Sequence, residues 1–218
     1  MKTFQQLFER YAGTILARQF RFGEILKEHH WRLKLNEATI VFNDEQEYAV
    51  QLLGTTSDPE EEWLWCWADE TLTIAETALT FSERMRALGE KEGIAELYKP
   101  RFQITPEIDG HKMSMLCAGL EGKSCYFHGP YTGGAIYCLI QGLPEEIFSL
   151  YTMEVLSLMI WRVVTTYEEA DHKALLTHFL SDQEFVLEDN GDTMKALRGS
   201  DKIDMGFSDE NRLIRMEI

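Results

Sequence analysis

Three of the chain's five tryptophans alternate with smaller apolar residues at positions 63–69, which read Trp-Leu-Trp-Cys-Trp-Ala-Asp. Successive side chains of a β-strand point to opposite faces, so the tryptophans would share one face, and Leu64 and Cys66 the other. Both faces are then apolar, which is typical of a strand covered on both sides. The motif therefore predicts a central strand inside a sheet, with helices on one face or both.

Periodicity and turn signals divide the remainder of the chain. Apolar side chains recur at helical spacing over residues 4–28, which predicts a first helix with Thr3 as its N-cap. Asp69 is expected to cap a second helix, and Thr166 with Glu169 fits a capping box for a later one. The further predicted helices cover residues 72–89, 94–98, 112–120, 147–164 and 166–180. The predicted strands cover residues 32–35, 39–42, 48–55, 102–104, 124–128 and 135–140.

The last two of these strands flank a glycine-rich loop at residues 129–134, which predicts a β-hairpin. If the loop spans that whole range, Tyr126 faces Tyr137 across the hairpin and Cys125 faces Cys138. Without an export signal, these cysteines are expected to be reduced thiols.

The segment 147–164 is apolar nearly all round, which predicts a helix buried against the sheet. It is interrupted by Glu154, Ser157 and Arg162, so it does not resemble a membrane span. A buried carboxylate at position 154 would be a candidate general acid. The alternative is a satisfied ion pair or an exposed edge of the helix.

The character of the chain changes after residue 181. Short strands are predicted at residues 185–187, 193–197, 203–207 and 212–218, with Asn190-Gly191 as the strongest hairpin signal. The expected fold is α+β, with a mainly antiparallel sheet of about six strands covered by helices. Residues 1–181 would form the main domain, and residues 182–218 a C-terminal β-meander packed on it.

The composition limits the classes of partner. The net charge is −16, and no cluster of Lys and Arg is present to neutralise phosphates, so neither nucleic acid nor an anionic membrane is expected as a partner. A basic protein or peptide would be attracted; the alternative is that the acid excess only keeps the protein soluble. Four cysteines and a start without a signal peptide favour a cytoplasmic location.

The sequence also resembles a bacterial family of uncharacterised proteins known only as a domain of unknown function. The typical core of that family reads W-L-W-A-W-A-N and follows a strand that ends in L-G-S. Cys66 and Asp69 stand where the family more often has Ala and Asn. The resemblance covers roughly residues 32–141, carries no activity and so implies no function. It rests on residues 48–55, 63–69, 88–93 and 125–130.

Aromatic residues are the main candidates for ligand binding. The shared face of Trp63, Trp65 and Trp67 could form the floor of a groove, with Tyr126 and Tyr137 beside it, because aromatic faces stack on rings, peptides or cations. The alternative is that the tryptophans pack in the core beneath a helix.

Other candidate chemistry is sparse. Glu168 and His172 are four residues apart on a predicted helix and could reach one metal ion, but the second histidine of H-E-x-x-H is missing, so no metal site is predicted. His111 and His128 stand alone in the sequence. No nucleophile elbow, Walker A loop, C-x-x-C or dinucleotide fingerprint occurs, so no cofactor is expected.

The first hypothesis is a cytoplasmic, non-enzymatic binding module of chaperone, immunity or regulatory type that engages a basic protein or peptide. Carboxylates at residues 58–62 lie beside the tryptophan strand and would steer such a partner. The alternative is a small-molecule enzyme whose pocket is floored by the tryptophans, with Glu154 or His172 as acid or base. A second acidic group comprises Asp182, Glu184, Glu188, Asp189 and Asp192.

Overall fold

A computed structural model describes residues 3–71 and 73–218. Within those ranges the chain forms six α-helices and eleven β-strands, which confirms the predicted α+β class. The helices are α1 (Phe4–Leu26), α2 (Thr80–Glu92), α3 (Ala95–Tyr98), α4 (Gly110–Glu121), α5 (Met153–Thr166) and α6 (His172–Asp182). The strands are β1 (Trp31–Lys34), β2 (Thr39–Phe42), β3 (Gln46–Ser57), β4 (Glu62–Trp65), β5 (Arg101–Gln103), β6 (Cys125–Tyr131), β7 (Gly134–Gln141), β8 (Val186–Asp189), β9 (Thr193–Arg198), β10 (Asp201–Phe207) and β11 (Leu213–Glu217).

The longest strand, β3, holds the seven-stranded main sheet together. It pairs with β7 along one edge, and with β2 and then β4 along the other, all antiparallel. β1 extends the sheet beyond β2, β5 beyond β4, and β6 beyond β7. Two buried clusters cover the sheet, one under the helices and one under the C-terminal end of α1 with its neighbouring turns.

The tryptophan strand lies inside this sheet, between β3 and β5, but it is shorter than predicted. It ends at Trp65, and the chain continues as a 3₁₀ turn over Cys66–Ala68, so Trp67 leaves the shared face. Trp63 and Trp65 are both 0% exposed. The indole N–H of Trp65 donates to the carbonyl of Glu96 at 2.9 Å.

The hairpin formed by β6 and β7 has a different register from the predicted one. His128 pairs with Tyr137, and the turn contains only Thr132 and Gly133, so the predicted pairing is wrong by two residues. The reason is that β6 is an edge strand, where a proline such as Pro130 can continue the ladder without a donor.

The predicted cross-strand pairing of the two hairpin cysteines is consequently wrong. Cys125 lies opposite Ile140, and Cys138 lies opposite Phe127. Both thiols are free and buried, and burial raises the pKa of Cys125 to about 12.

The second helix begins later than predicted. The expected start at Leu72 lies outside the described residues, and α2 begins at Thr80 after a 3₁₀ turn over Glu76–Ala78. Asp69 does not cap it, because its carboxylate accepts from the backbone N–H and hydroxyl of Thr71 in a local turn.

The predicted apolar helix is interrupted at residues 149–152. A 3₁₀ turn at Glu145–Phe148 comes first, and α5 begins only at Met153. Arg21 from α1 donates to the carbonyls of Ile147, Ser149 and Leu150, and these contacts hold the chain in its non-helical path. A helix buried against the sheet was expected from its nearly continuous apolar surface, but one face of α5 is exposed to solvent.

The last helix has a different N-cap from the predicted one. Thr166 is the final residue of α5, and Glu169 is exposed. Asp171 caps α6 instead, with its carboxylate accepting from the N–H of Ala174 at 2.8 Å. Asp171 therefore satisfies a free N–H group in the first turn of α6, which begins six residues later than predicted.

The C-terminal β-meander is confirmed. Its strand order is β11-β10-β9-β8, with Asn190-Gly191 in the turn between β8 and β9. Its buried side chains, such as Met194 and Ile203, join the same core cluster as the helices. None of the helices in the described ranges has the length and apolarity that a membrane crossing requires.

The core position of Trp65 predicts a large loss of stability on truncation. Trp65→Ala should lower the free energy of unfolding by roughly 3–5 kcal/mol, because it leaves a cavity and the carbonyl of Glu96 without its donor. Leu64→Ala, on the partly exposed side of the same strand, should cost clearly less. Thermal or urea melts of both variants measure this, and an unchanged midpoint for Trp65→Ala would contradict the packing.

Candidate functional site

An open cleft of about 540 Å³ lies where the β3–β4 turn meets the segment before α4. Three acidic side chains line it, Asp58, Glu61 and Asp109, together with His111 and Tyr137. A volume of this size is within the usual range for ligand sites, about 300–1,000 Å³.

The backbone fixes each of the three acidic residues in place. Asp58 donates its N–H to the carbonyl of Gly133 at 3.0 Å, and the carbonyl of Glu61 accepts from Ile104 at 2.8 Å. Asp109 is the N-cap of α4, accepting from the N–H of Lys112 at 2.8 Å. The carboxylates are thus presented by the β3–β4 turn, which holds Asp58 and Glu61, and by the start of α4, which holds Asp109.

The cleft is negatively charged. Among the described residues, neither Asp58, Glu61 nor Asp109 forms an ion pair, and the described lining contains no Lys or Arg. The pKa of Tyr137 is raised, chiefly by burial and further by the charges of Asp109 and Asp58. Both carboxylates therefore act on the same phenol. The ammonium of Lys112 donates to the carbonyl of Pro106 on the cleft wall, and Asp109 caps α4. A cation entering the cleft would therefore meet chiefly the carboxylates of Asp58 and Glu61, which are unpaired among the described residues.

A histidine–tyrosine cluster adjoins the cleft, and two of its members, His111 and Tyr137, line it. The ring centroids of His111 and His128 are 4.8 Å apart, and that of His128 is 5.0 Å from Tyr137. The Nδ1 atom of His111 lies 3.2 Å from the hydroxyl of Tyr126. Burial lowers the pKa of His128, and the neighbouring His111 lowers it further.

Sequence reasoning missed this cluster, because it treated His111 and His128 as isolated residues. The hairpin register places His128 directly opposite Tyr137, and the first turn of α4 brings His111 onto the same face. A sequence signal existed in Asp109-Gly110, an N-cap followed by a small residue, which marks the start of α4 near the hairpin.

The five predicted ligand-binding residues lie in three different places. Trp63 and Trp65 are core residues, so no external ligand can stack on them in this structure. The ring of Trp63 lies 5.3 Å from that of Tyr137, which places it in the layer behind the cleft. Trp67 is half-buried beside the guanidinium of Arg86, 4.8 Å from its ring. Tyr126 and Tyr137 do come together in the histidine–tyrosine cluster.

Two members of the second acidic group are occupied by structural contacts. Asp182 accepts from both terminal nitrogens of Arg10, at 2.9 and 2.7 Å, and from the hydroxyl of Thr14. Asp189 pairs with Lys173 at 2.6 Å. Two of its five carboxylates are therefore neutralised within the fold, unlike those of the cleft.

The two proposed acid–base residues lie elsewhere. Glu154 is exposed in the first turn of α5. His172 is 7% exposed, and both of its ring nitrogens are engaged: Nδ1 accepts from the N–H of Leu213, and Nε2 faces the carbonyl of Tyr167 at 3.2 Å. Neither residue lines the cleft, and no group of three metal-ligating side chains occurs in the described ranges.

Because His172 is buried, we expect it to make the protein less stable in mild acid. Its pKa is lowered, chiefly by burial, so below about pH 6.5 the unfolded chain binds the proton more readily than the folded one. Its contribution to stability is present above that pH and is lost as the pH falls. The fall in melting temperature from about pH 7.5 to 5.5 should be smaller for His172→Gln than for the parent. His29→Gln, at an exposed position, is the control and should keep the parent's fall; an equal fall in all three proteins would contradict the assignment.

The close approach of Gly110 to Tyr137 leaves no room for a side chain at position 110. A Cβ added there would lie 2.4 Å from the Cζ atom of Tyr137, so Gly110→Ala must displace either α4 or the phenol. The expected loss of stability is about 1–3 kcal/mol. Gly23→Ala in α1 meets no atom within 4 Å and should be neutral or slightly stabilising. Urea melts of the two variants decide this, and equal midpoints would show that the contact tolerates a methyl group.

Comparison with known proteins identifies a family for the chain but no activity. No curated protein and no solved structure matches it. One family model matches residues 5–143, more than half of the 218 residues, and its description is a family of unknown function. The matched part contains the whole cleft and the histidine–tyrosine cluster, whereas α5, α6 and the meander lie beyond it. The chain therefore belongs to the DUF6882 family.

Proposed function

We propose that this protein is a binding module that receives a lysine or arginine side chain of a basic protein or peptide in the acidic cleft. The observation that carries the proposal is the set of three carboxylates, Asp58, Glu61 and Asp109, which line one cleft and have no cationic partner among the described residues.

The apolar part of the cleft suits the stem of such a side chain. Ile104 and Pro106 lie on the cleft wall, where the methylene groups of Lys or Arg can pack while the charged end reaches the carboxylates. Binding at an exposed cleft of this charge should be fast and sensitive to salt.

The enzyme alternative has less support. The acid or base residues considered for it, Glu154 and His172, do not line the cleft, and the ring nitrogens of His172 are used within the fold. The proposed location is the cytoplasm, because all four cysteines are free and buried thiols.

A fluorescently labelled tetralysine peptide tests the proposal directly. We expect Asp58→Asn combined with Glu61→Gln to weaken its binding by about tenfold, because two uncompensated carboxylates are lost. The matched control is Asp209→Asn combined with Glu210→Gln in the β10–β11 turn, which changes the net charge equally. Binding to the parent should also weaken as ionic strength rises from about 0.01 to 0.15 M, where the screening length falls from about 30 to 8 Å.

Equal weakening in the two double variants would mean that only the overall charge attracts the peptide. That result, or binding that is insensitive to salt, would overturn the proposal. If the peptide binds the cleft as expected, a pull-down from native lysate with the same variants at low and high salt would identify the natural partner.

A further inference from the structure

Helix α5 carries an apolar stripe on its solvent side. Val155, Leu158 and Trp161 are 40%, 64% and 47% exposed. Viewed down the helix axis, Val155 and Trp161 each lie about 60° from Leu158, because a step of three residues is about 300°, or 60° short of a full turn. The opposite side of the helix, including Leu156 and Ile160, is buried in the core. The stripe is therefore a separate surface, outside the family-matched segment and apart from the cleft.

Two opposite charges frame the stripe. Glu154 and Arg162 are each four residues from Leu158, one on either side, and about 40° from it around the helix. Neither forms an ion pair with a described residue. The guanidinium of Arg162 lies 4.2 Å from the ring centroid of Phe20, which fixes the position of this positive charge.

This pattern is complementary to itself. When two copies of α5 pack antiparallel with Leu158 at the centre, each residue lies level with the residue equally far on the other side of Leu158. Glu154 is then level with the partner copy's Arg162, and Val155 with its Trp161. We propose that this protein forms a symmetric homodimer through antiparallel packing of α5, with the two Leu158 side chains on the two-fold axis.

The charges select this arrangement over the alternatives. Parallel packing would place Glu154 beside its own copy and Arg162 beside its own copy, which is repulsive at both ends. A basic partner has no reason to choose this surface, because the stripe carries one charge of each sign. A second copy matches both the apolar residues and the charges.

The dimer has the opposite salt dependence from the cleft. Each copy carries a net charge of −16, so the two repel one another at low ionic strength. Salt screens this repulsion, and dimerisation should strengthen as salt rises. Because peptide binding in the cleft weakens with salt, failure of one proposal is distinguishable from failure of the other.

Cysteine cross-linking tests the geometry. Leu158→Cys places two thiols on the two-fold axis, where they can approach the Cβ separation of about 3.8 Å that a disulfide needs. Thr165→Cys is the matched control on the same exposed side; in the antiparallel dimer its two copies are about 21 Å apart along the helix axis, at 1.5 Å per residue. The native cysteines are buried and should not react. We expect a covalent dimer from Leu158→Cys alone; cross-linking of both variants, or of neither, would overturn the proposal.

Charge reversal tests the pairing independently. Glu154→Arg and Arg162→Glu should each weaken dimerisation by about tenfold, because the interface contains the pair twice, and the double reversal should restore it. Sedimentation equilibrium at low and high salt measures these changes, with a thermal melt to verify that each variant is folded. A parent protein that stays monomeric at every salt and concentration, or a double reversal without recovery, would overturn the proposal.

Discussion

The packing of Trp63 against Gly54 is the contact on which the main sheet and the cleft depend. A Cβ at Gly54 would lie 2.4 Å from the indole ring, so the ring can occupy this position only above a glycine. From there Trp63 contacts Trp65, Phe102 and Tyr137, at centroid distances of 5.5, 6.2 and 5.3 Å. One buried ring thus connects four strands and supports the phenol that lines the cleft.

The acidic residues fall into two sets: those that form ion pairs within the fold and those that do not. Asp182 and Asp189 are held by basic side chains and stabilise the joining of α6 and the meander to their neighbours. The carboxylates of the cleft have no such partner in the described ranges. The net charge of −16 does not tell the two sets apart. The contacts within the fold do: the carboxylates of Asp58 and Glu61 stay unpaired among the described residues, and that of Asp109 is engaged only as the N-cap of α4.

The two proposed surfaces belong to different parts of the chain. The cleft is built from the family-matched residues, and the stripe on α5 from the segment that follows them. Both parts share one continuous core cluster, in which Trp63 and Met194 are members. A dimer formed through α5 would therefore present two acidic clefts on one rigid assembly, which would increase the avidity for a partner with two basic sites.

Local patterns in the sequence determined most of the secondary structure, the α+β class and the C-terminal meander, because helical periodicity and the Asn190-Gly191 turn act over short distances. The tertiary structure alone decided the β6–β7 register, which depends on β6 lying at an edge. It also decided the meeting of His111 with His128, which depends on the packing of α4 against the hairpin. It also decided the burial of α5: Arg21, more than a hundred residues away in the sequence, holds the preceding turn. Apolar content predicted a helix there, but only packing could show which side of it faces water.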